Sequence, residues 1–152
     1  MSKYWYELNT IDKLNRPNFV QIDESILKIT TPFFENYKNL IQSSIDKFNS
    51  EISWDDMWDI SEAYKRLSNN EILYLLIKNN TSIGHVWYSN NYLYNAYVSK
   101  EKPKNSSQWF ISETIIDVLN NGYTKIKLNT DYWNIRAIKF WEKLGFEVIN
   151  EK

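Results

Sequence analysis

The 152-residue chain has the size of one domain, and its near-neutral charge excludes several classes of protein. The formal net charge is −1 and the isoelectric point is about 5.9, so no nucleic-acid partner is indicated. The sequence has no cysteine and a single histidine, which argues against disulfides, a thiol nucleophile and a tetrahedral zinc site. No secretory signal or membrane-spanning run is evident, and we expect a cytoplasmic protein without membrane contact.

The first half of the chain predicts two short strands followed by two helices. The strands are KYWYEL and NFVQI, in which β-forming residues cluster. A Thr-Pro pair suits the start of a helix, and residues 32–48 then repeat apolar side chains at helical spacing. Ser53 and Asp56 form a second capping signal, which predicts a helix that runs to about Leu67.

The second half predicts a three-stranded meander and then a helix–strand–helix–strand order. EILYLLIK, IGHVWY and YLYNAYV are separated by polar turns. Residues 106–121 return to helical spacing before Gly122, and TKIKLNT alternates as a strand. We therefore predict a single α+β domain over residues 1–152, with a mixed, mostly antiparallel central sheet flanked by about four helices.

The last helix carries an apolar face and a defined end. Its apolar positions are Trp133, Ala137, Phe140, Trp141 and Leu144, spaced as on one side of a helix. Gly145 stands where the chain must turn left-handed, and the run FEVI follows as a strand. Docking against a sheet explains the apolar residues. Asn134 at the start of the helix either caps it or serves a ligand.

The stretch IKLNTDYWNIRAIKFWEKLGFEVI resembles the C-terminal motif of the GNAT family of N-acetyltransferases. That motif is a strand, N-x-x-A, an aromatic pair and L-G-F, which this sequence matches at Asn134, Ala137, Phe140, Leu144, Gly145 and Phe146. The preceding meander and helix are also similar to the family, so that the resemblance covers roughly residues 70 to 149. It implies a GNAT-like fold.

The resemblance also implies an activity, with acetyl-CoA as co-substrate and an amine of a small molecule or peptide as acceptor. In the family a backbone amide polarises the thioester carbonyl, and here that amide falls near Tyr97 or Val98. The loop and helix start that hold the CoA diphosphate correspond to Lys104, Asn105, Ser106, Ser107 and Gln108. Asn134 and Trp141 are further expected cofactor contacts.

The sequence departs from the family pattern at the diphosphate loop. The family carries [QR]-x-x-G-x-[GA], whereas residues 103–108 read PKNSSQ. Ser106 and Gln108 therefore stand at the small positions. The Ser106 hydroxyl could donate to a phosphate, but the Gln108 side chain must turn away to leave room for one.

A second departure concerns the proton donor for the leaving thiolate. Trp141 stands where many members of the family place a tyrosine, and an indole N–H is not an acid at neutral pH. Tyr132, Tyr97 and Tyr94 are candidate substitutes. His85 has a suitable unperturbed pKa for proton transfer, although a lone histidine on a strand is more often structural.

The third departure lies at the C-terminus, where the family adds one more strand after the segment equivalent to GFEVI. The N-terminal KYWYEL fills the gap, a partner subunit fills it, or the sheet stays short. The second alternative makes a homodimer plausible. Separately, Asp55, Asp59 and Glu62 share a helix face, and we favour a solvated face over an acidic lip that attracts a cationic amine.

Three functions are compatible with these patterns. The first is the acyltransferase. The second is a catalytically impaired GNAT-fold module that binds a protein or a ligand, which the loop without glycine and Trp141 favour. The third is an unrelated α+β structural protein. A V-shaped gap between the strand YLYNAYV and the strand TKIKLNT would exclude the third function, and a retained acyl-CoA pocket would separate the first from the second.

Overall fold

A computed structural model of the chain describes residues 3–17, 24–52, 58–100 and 105–149, and the structural statements below refer to those residues. The strands are β1 Lys3–Leu8, β2 Ser25–Ile29, β3 Ile72–Lys78, β4 Thr81–Ser89, β5 Tyr92–Val98, β6 Ile126–Asp131 and β7 Glu147–Ile149. The α-helices are α1 Lys38–Glu51, α2 Ile60–Ser68, α3 Ser106–Asn120 and α4 Ile135–Leu144. Short 3-10 turns cover Ile11–Lys13, Thr31–Phe33 and Glu35–Tyr37.

The described strands form one seven-stranded sheet in the order β2-β3-β4-β5-β6-β1-β7. The pairing of β5 with β6 is parallel, and the other pairings are antiparallel. The prediction of a mixed, mostly antiparallel α+β sheet is therefore confirmed. None of the helices in the described part of the chain combines the length and the apolar character that a bilayer crossing requires.

The N-terminal strand lies inside the sheet, between β6 and β7. β1 pairs antiparallel with β6 along its whole length, from Lys3 opposite Asp131 to Leu8 opposite Ile126. Its other edge pairs with β7, with Tyr6 opposite Val148. Of the three alternatives for the missing strand, the structure shows the first: the N-terminal KYWYEL fills the gap. The homodimer stays a prediction, which light scattering on the purified protein would test.

The two faces of the sheet carry separate hydrophobic cores because successive side chains of a strand point to opposite sides. Leu73 and Leu75 of β3 face α1 and α2, in a cluster with Ile41, Ile45, Ala63, Leu67 and Trp87. Tyr74 and Leu76 face the other way, in a cluster with Phe110, Ile115, Leu128, Trp141 and Leu144 of α3, β6 and α4. The sheet is therefore the middle layer of three, and its two faces are covered by different helix pairs.

Both helices of the first half begin later than the sequence predicted. The predicted helix over residues 32–48 opens as two 3-10 turns, and regular α-helix begins only at Lys38. The next helix was predicted from Ser53, which lies with Asp56 outside the described residues, and α2 begins at Ile60. Asp59 provides its cap by accepting from the Glu62 N–H at 2.9 Å. The start of α2 is therefore set by Asp59, the residue directly before Ile60.

The remaining elements match the sequence, with two corrections. Strand β2 at Ser25–Ile29 was not predicted, and the predicted strand NFVQI lies outside the described residues. Trp133 was placed on the apolar face of the last helix, but it precedes α4 and is 74% exposed. Gly122 and Gly145 both terminate helices at positive φ, as predicted.

Candidate functional site

The sheet opens where β5 and β6 meet. The register between these two fully described strands holds one pair, Tyr92 with Lys127. The Lys127 N–H also donates to the Asn91 carbonyl at 2.9 Å, and the Asn129 amide donates to the Tyr92 hydroxyl at 3.1 Å. All of these contacts involve Asn91 or Tyr92, at the start of β5. The carboxyl ends therefore diverge, which gives the V-shaped gap that the GNAT-like interpretation requires.

Three cavities surround this gap, and Ala96 on β5 lines all of them. The first has a volume of about 190 Å³ and is lined by Ala96, Tyr97, Val98, Ser107, Ile111, Ala137, Phe140 and Trp141. The second, of about 430 Å³, is lined by Phe48, Ile52, Ala96, Tyr97, Asp131, Trp133 and Asn134. The third, of about 250 Å³, lies between β5 and β6 themselves. We call the first the slot and the second the open cavity; β5 forms a wall of both.

A β-bulge shapes β5 at the junction of the cavities. Between two paired positions, β5 advances three residues, from Tyr94 to Tyr97, whereas β4 advances two, from Trp87 to His85. Asn95 within the bulge has φ +51°, a left-handed conformation that asparagine tolerates better than most residues. Because a bulge alters the direction in which a strand presents its groups, it sets how Ala96 and Tyr97 face the gap.

The buried His85 side chain hydrogen-bonds to Asn95 in the bulge. Its Nε2 lies 2.7 Å from the Asn95 side-chain oxygen and its Nδ1 lies 2.7 Å from the Ser44 hydroxyl. The proton therefore sits on Nε2, and Nδ1 accepts from Ser44. Burial lowers the pKa of His85 to about 4, although the bond to Asn95 opposes the shift. The imidazole is neutral at pH 7, and it lines neither the slot nor the open cavity.

The Tyr97 hydroxyl faces a carboxylate that the sequence did not point to. It donates to Glu51 at the end of α1, at 2.8 Å. Glu51 also accepts from the Ser99 hydroxyl at 2.9 Å and from the Lys100 N–H at 3.1 Å. Burial raises the pKa of Glu51, but these hydrogen bonds outweigh it and the net pKa is lowered. Glu51 is therefore an ionised clamp on the end of β5.

The predicted diphosphate-binding residues separate at the start of α3. Lys104 lies outside the described residues. Asn105 adopts φ +68° ahead of the helix and makes no side-chain cap. Ser107 lines the slot. Gln108 turns away, as the sequence required if a ligand is to fit, and donates to the Asn15 carbonyl at 3.0 Å.

Ser106 is fully buried, and its hydroxyl contacts a carboxylate of the same chain. The Glu24 oxygens lie 3.1 and 3.3 Å from Ser106 Oγ, and Glu24 is 8% exposed. A negative charge in the first turn of a helix is stabilised by the helix dipole. The hydroxyl that the sequence offered to a phosphate is therefore already engaged.

Asn134 and Trp141 reach the gap from α4. The Asn134 side chain accepts from the Ala137 N–H at 3.2 Å, so it caps the helix, and it also lines the open cavity. Trp141 is 8% exposed and packs edge-to-face against Phe140 and Phe146, at 4.9 and 5.5 Å between ring centroids. Its ring forms a wall of the slot. Both residues therefore combine a structural contact with a position at a cavity.

Tyr132 lies away from the slot and the open cavity. Its ring contacts Tyr4 at 4.5 Å between centroids and lines a separate depression that includes Ile138 and Val148. Of the three predicted catalytic residues, Tyr97 thus lies at the gap and Tyr132 on another surface. His85 is buried and reaches the bulge only through Asn95.

The acidic face predicted on the second helix is a solvated, self-paired surface. Asp59 caps α2, and Glu62 pairs with Arg66 at 2.8 Å. Neither residue lines any of the three cavities, and Asp55 lies outside the described residues. The positions of Asp59 and Glu62 agree with the solvated face that the sequence analysis favoured over an acidic lip.

Sequence reasoning missed three residues that shape the site, namely Asn95, Glu51 and Glu24. An asparagine in the middle of an aromatic strand is unusual, and it was the one available signal for the bulge. Glu51 and Glu24 act over sequence separations of 46 and 82 residues. Nothing local in the sequence marks such partners.

Comparisons with known proteins find similarity at the level of the fold. No family model matches the chain, and no curated protein does. Among solved structures, a Drosophila protein superposes with a TM-score of 0.68 at 8% identity, over 97% of this chain and 48% of that one. This chain thus spans about half of that protein.

Two acetyltransferases of similar length also match. One is an aminoglycoside acetyltransferase from an uncultured soil metagenomic sample, with a TM-score of 0.63, 17% identity, and coverage of 87% of this chain and 97% of that chain. The other is the PaiA N-acetyltransferase of Thermoplasma acidophilum in complex with coenzyme A, with a TM-score of 0.62, 15% identity, and coverage of 86% and 94%. The chain therefore has the fold of the GNAT acetyltransferases, as the C-terminal motif predicted.

Proposed function

We propose that the chain is an N-acyltransferase that moves an acetyl group from acetyl-CoA to the amine of a small molecule. The observation that carries the proposal is the slot, which runs along the diverging strand β5 and between α3 and α4. Its lining is mostly apolar, as suits the neutral pantetheine arm of a thioester donor. The fold is shared with acetyltransferases, one of which is solved with coenzyme A.

The reaction requires a neutral amine, a polarised carbonyl and a proton for the leaving thiolate. The amine nitrogen forms a bond to the thioester carbon, the carbon–sulfur bond breaks, and the amine proton passes to the sulfur. Backbone N–H groups near Tyr97 and Val98 would polarise the carbonyl, because the bulge directs this part of β5 toward the gap. Tyr97 lines both cavities and is the candidate proton donor, with its hydroxyl held by Glu51 at 2.8 Å.

His85 is better suited to positioning than to proton transfer. Both ring nitrogens are hydrogen-bonded, and the pKa of about 4 makes the imidazole neutral and only weakly basic at pH 7. We assign it the role of fixing Asn95 and, through it, the bulge. Tyr132 would need to act from another surface, and it has no step in this proposal.

The open cavity is the proposed acceptor site. Phe48, Trp133 and the Asp131 carboxylate line it, so it offers aromatic faces and a negative charge to a cationic amine. Asp131 also pairs with Lys3 at 2.9 Å, and its side chain is 31% exposed. The aminoglycoside acetyltransferase neighbour supports a small molecule rather than a peptide as the first class to test.

The test is acetyl transfer followed by mass spectrometry, with acetyl-CoA and a panel of aminoglycosides and simple polyamines. The proposal predicts a product that carries one added acetyl group, and a loss of turnover of about tenfold or more in Tyr97→Phe. Tyr123→Phe is the matched control, because it removes an exposed hydroxyl that contacts Asn90 far from the slot. Equal turnover in both variants would remove Tyr97 from the mechanism.

A second candidate function is a binding module that has lost acyl transfer. The contact between Ser106 and Glu24 favours it, because an internal carboxylate stands where a phosphate donor was expected. This function predicts no acetylated product with any amine, together with ligand or partner binding that survives Tyr97→Phe.

A further inference from the structure

On both sides of the segment that joins β5 to α3, carboxylates of this chain accept hydrogen bonds from donors that could otherwise bind a phosphate. Before the segment, Glu51 accepts from the Ser99 hydroxyl and the Lys100 N–H. After it, Glu24 accepts from the Ser106 hydroxyl in the first turn of α3. Glu51 ends α1 and Glu24 precedes β2, so two independent parts of the fold bring negative charge to this region.

A diphosphate at the start of α3 would meet the Glu24 carboxylate in a poorly solvated place. Ser106 is fully buried and Glu24 is 8% exposed. Like charges repel more strongly where water is excluded, and the helix dipole that would attract a phosphate is already compensated by Glu24. The described residues around the start of α3 therefore do not fit the diphosphate of CoA.

The adjoining slot has the opposite character. Ser107 enters it from α3, and its other walls include Val98, Ile111, Phe140 and Trp141. A neutral, mostly apolar arm can bind there without approaching a carboxylate. The slot therefore suits the thioester arm of a donor and not its diphosphate.

Building on the proposed acyltransferase function, we infer that this chain recognises its donor through the neutral pantetheine thioester and gains little affinity from the diphosphate. Glu24 is the residue that sets this preference. The substrate class is acyl thioesters of pantetheine, with or without a nucleotide attached.

The experiment is calorimetric titration of the purified chain with acetyl-CoA and, separately, with S-acetylpantetheine. We expect dissociation constants within about threefold of each other, since the diphosphate adds no net attraction. In Glu24→Gln, which keeps the shape of the side chain and a partner for Ser106, acetyl-CoA should bind about tenfold or more tightly. S-acetylpantetheine should bind that variant unchanged.

Glu113→Gln is the matched control, because it removes one negative charge from α3 at a residue that pairs with Arg16 on the surface. It should change neither affinity. Thermal unfolding of each variant checks the fold, and the ratio of affinities in the unmodified chain decides the question even if Glu24→Gln does not fold.

Three outcomes overturn all or part of the inference. Acetyl-CoA that binds the unmodified chain about 100-fold more tightly than S-acetylpantetheine would show a functioning diphosphate site, and the acyltransferase proposal would survive. If the ratio of acetyl-CoA affinity to S-acetylpantetheine affinity is the same in Glu24→Gln and Glu113→Gln, Glu24 does not determine the donor preference. No binding of either thioester to any variant would overturn both this inference and the proposed function.

Discussion

Replacing Gly145 by alanine tests how the L-G-F motif anchors the helix that forms the slot. Gly145 ends α4 at φ +114°, where L side chains are strained. An added Cβ would lie 2.0 Å from the Lys13 carbonyl oxygen, so the backbone must move. The same junction holds the hydrogen bond from the Asn15 N–H to the Leu144 carbonyl, at 2.8 Å.

Gly122→Ala supplies a matched comparison, because Gly122 also follows a helix, at φ +110°, but a Cβ there meets no atom within 4 Å. Backbone strain alone costs about 1–2 kcal/mol in either variant. Gly145→Ala adds the clash and weakens nearby hydrogen bonds worth about 1 kcal/mol each, for a total of about 3–5 kcal/mol. For a chain of this length the difference corresponds to roughly 5–10 °C in Tm.

The assay is thermal and urea unfolding of both variants beside the unmodified protein. Gly145→Ala should lose the larger free energy of unfolding, and its slot should bind acetyl-CoA more weakly, because Asn15 also holds Gln108 of α3. Equal losses in the two variants would refute the contact between Gly145 and Lys13 as the reason for the motif.

Three further predictions concern the site. His85 has a folded pKa of about 4 against an unfolded value near 6.5, so the unfolded chain binds a proton that the folded chain does not. Stability should therefore fall by up to about 3 kcal/mol as pH drops from 6.5 to 4, and His85→Gln should flatten that slope in urea unfolding. Trp141→Ala should cost about 3 kcal/mol by urea unfolding and weaken acetyl-CoA binding by calorimetry, because it removes a buried wall of the slot. Asn134→Ala should cost about 1 kcal/mol in the same unfolding assay, since it removes the cap on the Ala137 N–H.

Local patterns predicted the meander and the end of the chain well. The strands β3 to β5 match their predicted bounds closely, because apolar runs were separated by asparagine-rich turns, and Asn79, Asn80 and Asn90 do adopt positive φ. The helix end at Gly145 was predicted from the local sequence, and the cap was one of two roles considered for Asn134. Each depends on residues within one turn of the chain.

The order of the strands could not be predicted in this way. β1 lies between β6 and β7, and the pairing of Tyr6 with Leu128 spans most of the chain. Periodicity carries no information about which strand lies beside which, so three alternatives stayed open for the missing strand. The GNAT resemblance gave the overall arrangement but not the source of this strand.

The candidate site was predicted only where a motif marked it. Tyr97, to which the resemblance pointed, lines two of the cavities. Trp133 was included in the predicted helix, but its segment is not helical. The partners that decide the electrostatics, Glu51 and Glu24, come from distant segments. Their effect depends on burial and on which donors they meet, and neither is written in a local pattern.

Binding of acetyl-CoA in the slot tests the central claim most directly. Calorimetry would compare the unmodified chain with Ala137→Trp, which fills the slot, and with Ile135→Trp, which adds the same ring at a residue of α4 that is 54% exposed. The account predicts binding in the micromolar range that Ala137→Trp abolishes and Ile135→Trp retains. The absence of heat at millimolar ligand, or equal binding by both variants, would contradict it.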